Sequence, residues 1–277
     1  MRLFLFIIIL STQVSVAFSA VGEVLTMEGA PYLLRKFKKV SLNPGSKLEV
    51  KDNVYTKDGT LSLKMMDGSI VDLGPQSHFK VKSYELGAKV DRNVVLFKGD
   101  SRFNVKTMKQ SKDKVFLVRT PTAVVGVRGT DFNVGVEPNV ATTVTVFSGT
   151  VACFSVFGET QSAVSTVLTQ GYQSKVAKGK SPSSARKVTQ GELQSIKGST
   201  GTADKAVKDE ESETIDETSE EPERSPFTPE EGGGAPIDSI REDTLERIQE
   251  TVIEEITNPD SSIFDEITPI SPPASQE

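Results

Sequence analysis

A chain of 277 residues with one histidine, one cysteine and no tryptophan is poor in the groups that catalysis and metal binding use most. It has no internal disulfide, and His/Cys metal clusters are excluded. Charge is divided unevenly: through residue 200 there are 27 Lys+Arg and 15 Asp+Glu, net +12, and from 201 onward 5 and 23, net −18, so the overall −6 describes neither part. That asymmetry indicates a folded basic module followed by a solvated acidic tail.

Arg2 precedes an apolar run from Leu3 to Leu10, and Ala17-Phe18-Ser19 sets small residues for cleavage before Ala20. Residues 1–19 therefore read as a secretory signal peptide, and the mature chain is expected in the periplasm or outside the cell. The apolar run is shorter than the roughly 20 residues a membrane span needs, so no span is expected after cleavage. Retention as an anchor would bury Ser11, Thr12 and Gln13.

From 20 to 180 the chain reads as one β domain. Val21–Met27, Thr60–Met66, Ser69–Leu73, Phe79–Tyr84, Val94–Phe97, Val115–Val118, Val140–Phe147 and Val151–Val156 are rich in Val, Leu, Phe and Thr, several with period-2 alternation. Turn signals stand between them at Asp58-Gly59, Asp67-Gly68, Lys98-Gly99-Asp100, Ser148-Gly149, Phe157-Gly158 and Gln170-Gly171. The fold class is all-β, a short-strand β-sandwich or a β-solenoid-like module. Two Asp-Gly turns nine residues apart hint at a coil repeat, which needs about three copies to persuade.

Residues 181–237 are rich in Ser, Glu, Pro and Gly, bury too little apolar surface to offset ordering entropy, and read as a disordered linker. Over 238–258 an amphipathic helix is expected: Ser239 to Glu242 fit a capping box, Leu245, Ile248, Val252 and Ile256 follow at helical spacing, and Asn258-Pro259 ends it. Those four apolar residues are a possible partner contact, or they dock the helix on the β-core. Residues 259–277 complete a disordered tail.

No motif frames a catalytic serine, and no catalytic, cofactor-binding or metal site is expected. Cys153 reads as a small core residue, His78 as a surface residue beside a turn, and Asp67-Gly68-Ser69 as a hairpin turn. Arg128 and Asp131 suggest a structural ion pair, with an anion or partner contact as the alternative. Basic clusters at Arg35-Lys36 with Lys38-Lys39, at Lys106, Lys109, Lys112 and Lys114, and at Lys175 to Lys187 suit nucleic acid in a cytoplasmic protein. With export they point to an anionic envelope polymer, an envelope protein or the chain's own acidic tail, and not to nucleic acid. A merely solvated basic face remains the alternative.

The run Thr120-Pro121-Thr122-Ala123, Gly126, Arg128-Gly129-Thr130-Asp131-Phe132 resembles the signature TPTA-x-x-G-x-RGT-[DE]-[FV] of FecR-domain proteins. Asp67-Gly68-Ser69, Leu73-Gly74-Pro75, Ser77, Gly99 with Arg102, and Val146-x-x-Gly149-x-Val151 follow the same order, and the similarity covers about residues 21 to 178. The resemblance implies an all-β periplasmic or extracellular module in which Pro121, Gly126, Arg128, Gly129, Thr130, Asp131 and Phe132 are structural fixtures. In the regulators that name the family, a cytoplasmic anti-sigma segment and one membrane span precede this domain, and the periplasmic part meets an outer-membrane transporter. Here a signal peptide is expected to lead straight into the β-module. The resemblance then implies a standalone exported member, a non-enzymatic binding or scaffold module of the bacterial cell envelope. The alternative is a periplasmic sensor acting through a separate membrane or outer-membrane protein; a carboxylate-based enzyme on glycans is a third class without a supporting motif. At Lys51 the family tends to have Gly before Asp, which implies a slightly altered turn.

Overall fold

The computed structural model describes residues 20–86, 90–107, 115–138, 140–156 and 165–200. The expected signal peptide, most of the expected linker, the helix over 238–258 and the final tail lie outside the described residues. Seventeen strands are described: β1 (Gly22–Glu28), β2 (Tyr32–Arg35), β3 (Lys38–Ser41), β4 (Lys47–Leu48), β5 (Asn53–Tyr55), β6 (Thr60–Met65), β7 (Ile70–Leu73), β8 (His78–Leu86), β9 (Val90–Asn104), β10 (Phe116–Arg119), β11 (Ala123–Val127), β12 (Asp131–Glu137), β13 (Ala141–Ser148), β14 (Thr150–Ser155), β15 (Ser165–Thr169), β16 (Tyr172–Ala177) and β17 (Arg186–Lys187), followed by α1 (Gln190–Thr200).

The strands pair in two layers. One runs β4-β1-β6-β7-β9-β12-β13-β16-β17. The other runs β3-β2-β5-β8-β9-β10-β11-β14-β15. Every pairing is antiparallel except β9 with β10. Strand β9 belongs to both layers: Val90 to Lys98 pair in the second, and Gly99 to Asn104 in the first. It bends at Gly99, whose φ is +94° and where a Cβ would lie 2.3 Å from Ser77 Oγ. The turn expected at Lys98-Gly99-Asp100 is thus a bend within one continuous strand, because glycine lets the backbone pass tight against Ser77.

Alternate residues of both layers meet in one core. Leu61, Leu63, Phe132 and Val134 come from the first layer, and Val54, Phe79, Val125 and Cys153 from the second. Phe103 stacks on Phe132 at 5.2 Å and reaches across to Phe116 at 6.2 Å. Two facing layers with alternating inward side chains make a sandwich, the first of the two architectures the strand pattern allowed.

The stretch 181–200, expected to be disordered, carries β17 and α1. Thr189 caps α1: its Oγ accepts from Glu192 N at 3.3 Å, and its N donates to Glu192 Oε2 at 2.8 Å. This reciprocal pair is a capping box, and it outweighs the polar composition. The helix packs toward the outer side of the first layer, where Lys197 Nζ stands 5.0 Å from the Phe147 ring.

Candidate functional site

The signature residues lie where the chain passes between layers. Thr120 and Ala123 close the β10–β11 turn around Pro121: Thr120 N donates to Ala123 O at 2.9 Å, and Ala123 N donates back to Thr120 Oγ1 at 2.9 Å. Thr142 Oγ1 lies 2.6 Å from Thr120 Oγ1 and 2.7 Å from Thr122 Oγ1, which ties this turn to β13. Gly126 sits in β11 opposite Leu117 and Ala152. Gly129 has φ +67°, and a Cβ there would lie 1.8 Å from Thr107 Oγ1, so only glycine fits. Thr130 Oγ1 donates to Thr150 O at 3.0 Å. Phe132 is a core ring.

Asp131 does not take the expected partner. Its two oxygens accept from Arg102 Nε and Nη2, both at 3.0 Å. Arg128 and Asp131 lie on opposite sides of the bend at Gly129, whereas Arg102 sits on the adjoining strand β9 and presents its fork to the carboxylate. Among the described residues Arg128 makes no ion pair and is half-buried. Leu245, Ile248, Val252 and Ile256 lie outside the described residues.

The Asp-Gly turn also does more than reverse the chain. Asp67 Oδ2 accepts from Arg92 Nη1 at 2.8 Å, with the two side chains 1% and 0% exposed. Ser69 N and Oγ donate to Asp67 at 2.9 and 2.8 Å, and Arg92 lies 5.7 Å from the Phe116 ring. Burial, with the Asp67 charge beside it, pushes the Tyr84 phenol well above its ordinary range.

The exposed surface has its most distinctive feature on the second layer. Because Tyr32 pairs with Tyr55 and Tyr55 with His78, their side chains share the outer face. Phe97 joins them at the bulge opposite His78. The four rings stack at centroid separations of 5.0, 4.2 and 4.4 Å. His78 is thus part of a ring row, with Nε2 3.2 Å from Asn53 Oδ1, and not merely a residue beside a turn. Lys39 and Lys57 stand over the outer ring, Nζ at 4.5 and 5.5 Å from the Tyr32 centroid. Burial, with Tyr32 beside it, raises the Tyr55 phenol, so it stays a donor.

Beside this row the β2–β3 hairpin turns at Lys36-Phe37, with φ of +48° and +65°. Two-residue hairpin turns of this hand are normally built from Asn, Asp and Gly. A left-handed conformation costs an ordinary residue about 1–2 kcal/mol, yet here it holds Phe37 fully exposed between Lys36 and Lys38. The base of the hairpin is clamped. Arg35 Nε and Nη2 donate to Asp52 at 2.8 and 2.6 Å, and Nη1 to Glu49 at 2.7 Å. Lys51, next to Asp52, has φ +74°. The turn keeps a glycine-type backbone with lysine in it, rather than changing shape.

Sequence reasoning found the basic cluster at 35–39 but not the row of rings. Tyr32, Tyr55, His78 and Phe97 are far apart in the chain, and only strand register brings them together. The face presents cations, phenol hydroxyls and ring edges, with ring faces mostly occupied by one another; that suits an extended anionic or polar surface. Elsewhere, a cleft of about 620 Å³ between α1 and the β15–β16 hairpin is lined by Phe147, Tyr172, Lys187, Leu193 and Lys197 among others.

Residues 52–152 match a family model described as FecR protein, a span that takes in the whole signature. No curated protein matches the chain. Similar solved structures include two of a candidate anti-sigma factor from Parabacteroides distasonis, at 1.65 and 2.50 Å resolution. Both are 22% identical; the first covers 51% of this chain and 62% of its own at a TM-score of 0.41, the second 50% and 61% at 0.40. The chain thus spans about three fifths of the length of those structures.

Proposed function

We propose that this chain, whose residues 52–152 match the FecR family model, is an exported, non-enzymatic binding module of the bacterial cell envelope that meets an anionic envelope polymer through the ring row and the β2–β3 hairpin. The observation that carries this reading is the strained hairpin tip: a fully exposed Phe37 in a left-handed conformation between two lysines, beside Lys39 and Lys57 over Tyr32. Strain and an exposed aromatic ring are both costs to the isolated chain, and contact with a partner offsets them.

The polymer would be held by charge along the lysines and by packing of Phe37 against its backbone. Co-sedimentation of the full chain with purified anionic cell-wall polymer tests this. Wild type is expected to sediment, with binding that weakens as salt rises, and Phe37→Ala with Lys38→Glu and Lys39→Glu should lose it while keeping the wild-type circular dichroism. Equal binding by the variant refutes the reading. The FecR match also favours a sensor that works through a separate membrane or outer-membrane protein. Crosslinking from Phe37 in intact cells to one discrete protein, with no polymer binding, would select it.

A further inference from the structure

The cleft between α1 and the β15–β16 hairpin has a sorted lining. Gln190, Leu193, Gln194 and Lys197 recur at helical spacing, so a single face of α1 forms one wall. Tyr172 and Lys187 lie directly opposite each other in the β16–β17 pair, so their side chains share one face and form another wall. Phe147 and Val188, both buried, complete it. The frame is held by backbone: Gly171 N donates to Val146 O at 2.9 Å, and Val188 N to Gly171 O at 2.8 Å. At about 620 Å³ the cleft has the size of a small-molecule site. Its charge is one-sided, because two lysines and no acidic residue line it. Glu192, the acidic residue of α1, is held instead by Thr189 and Arg186, and Arg186 is shared with Gln173. Lys197 stands against the Phe147 ring, and among the described residues neither it nor Lys187 makes an ion pair.

We infer that this cleft binds a small amphipathic carboxylate, a single anionic group on an aromatic or branched apolar body. The body packs against Phe147, Tyr172, Val188 and Leu193, and the carboxylate accepts from the ammonium groups of Lys187 and Lys197. The side-chain amides of Gln190 and Gln194 supply further donors. Charge complementarity selects an anion, and the kind of donor selects a carboxylate over a phosphate. Phosphate sites draw on the guanidinium fork of arginine or on free amides at a helix N-terminus. Here Arg186 is committed to Glu192, and the first turn of α1 is closed by its own capping box, with Glu192 N on Thr189 Oγ1 and Thr189 N on Glu192 Oε2. Two lysines and neutral amides remain, enough for one negative charge. Such a carboxylate has two sources, a free small molecule or the C-terminal residue of a partner's chain. This inference does not depend on the polymer reading, which rests on the outer face of the second layer.

The test is titration of the methyl-labelled full chain, followed by NMR, with N-acetylphenylalanine and with its neutral amide. The carboxylate should shift the methyl signals of Val188 and Leu193 and leave that of Val40 on β3 in place. The amide should bind about tenfold more weakly, the loss expected for two solvent-exposed ion pairs. Lys187→Gln with Lys197→Gln should bring the carboxylate down to the affinity of the amide, with wild-type circular dichroism. A peptide ending in phenylalanine with a free carboxylate separates the sources: tighter binding than N-acetylphenylalanine assigns the site to a partner's C-terminus, equal binding to a free small molecule, and either upholds it. Unmoved Val188 and Leu193 signals at millimolar N-acetylphenylalanine overturn the inference. Equal binding of the amide, or shifts that survive loss of both lysines, also overturns it. So does tighter binding of phenyl phosphate than of N-acetylphenylalanine, which assigns the cleft to phosphate.

Discussion

Replacing Arg92 with methionine isolates the Asp67–Arg92 pair, which joins the β6–β7 turn in one layer to β9 in the other. Both side chains are essentially without solvent, and Ser69 N and Oγ still donate to Asp67 once the guanidinium is gone. Removing one member of such a pair typically costs about 3–5 kcal/mol, because the remaining charge stays buried. For a domain of 150–250 residues each kcal/mol is worth about 2–4 °C, so thermal unfolding should fall by about 6–20 °C. Asp67→Asn leaves the guanidinium buried without its carboxylate, so it should cost a comparable amount. The double variant should cost clearly less than the sum, with the shortfall measuring the coupling. Additive single effects, or a loss below about 1 kcal/mol for Arg92→Met, within reach of an ordinary surface change, would refute the reasoning.

Three further outcomes are expected. Lys51→Gly should stabilise the fold by up to about 1 kcal/mol in denaturant titrations, because φ +74° strains lysine and not glycine, less what glycine gains in the unfolded chain. The Cys153 thiol, pushed up to about 12 by complete burial, should resist alkylation at pH 8 in the native protein and react at the rate of unfolding. Hydrogen bonds from Thr189 N and then its hydroxyl, with Arg186 nearby, hold Glu192 below the ordinary glutamate range. The cap is intact above about pH 4.3 and lost as pH falls through the lowered value, so amide protection over 190–200 should drop there, and Glu192→Gln should flatten that pH dependence.

Strands with apolar alternation and a glycine turn were legible in the sequence: Thr60–Met65 with Ile70–Leu73 across Asp67-Gly68, and Ala141–Ser148 with Thr150–Ser155 across Gly149. The β2–β3 hairpin was not, because Lys36-Phe37 carries none of the usual turn residues. Strand β11 hides because Ala123 to Val127 are buried on both faces and show no alternation. The choice of sandwich over solenoid depends on which strands pair across the chain, and local periodicity does not encode that. The Arg102–Asp131 pair illustrates the same limit: Arg128 is nearer in sequence, but strand register decides which guanidinium meets the carboxylate. The ring row was illegible for this reason too, although its members are among the few aromatic residues of the chain.

Strand β9 has a mechanical consequence. No ladder among the described strands joins β1–β8 to β10–β17 except through it. Each half of the chain owns strands in both layers, so the molecule is seamed along its length and not between its layers. Load applied to either end passes through one fifteen-residue strand, bent at Gly99. Pulled from its termini, the module should yield there first, as a single event that frees two half-sandwiches at once.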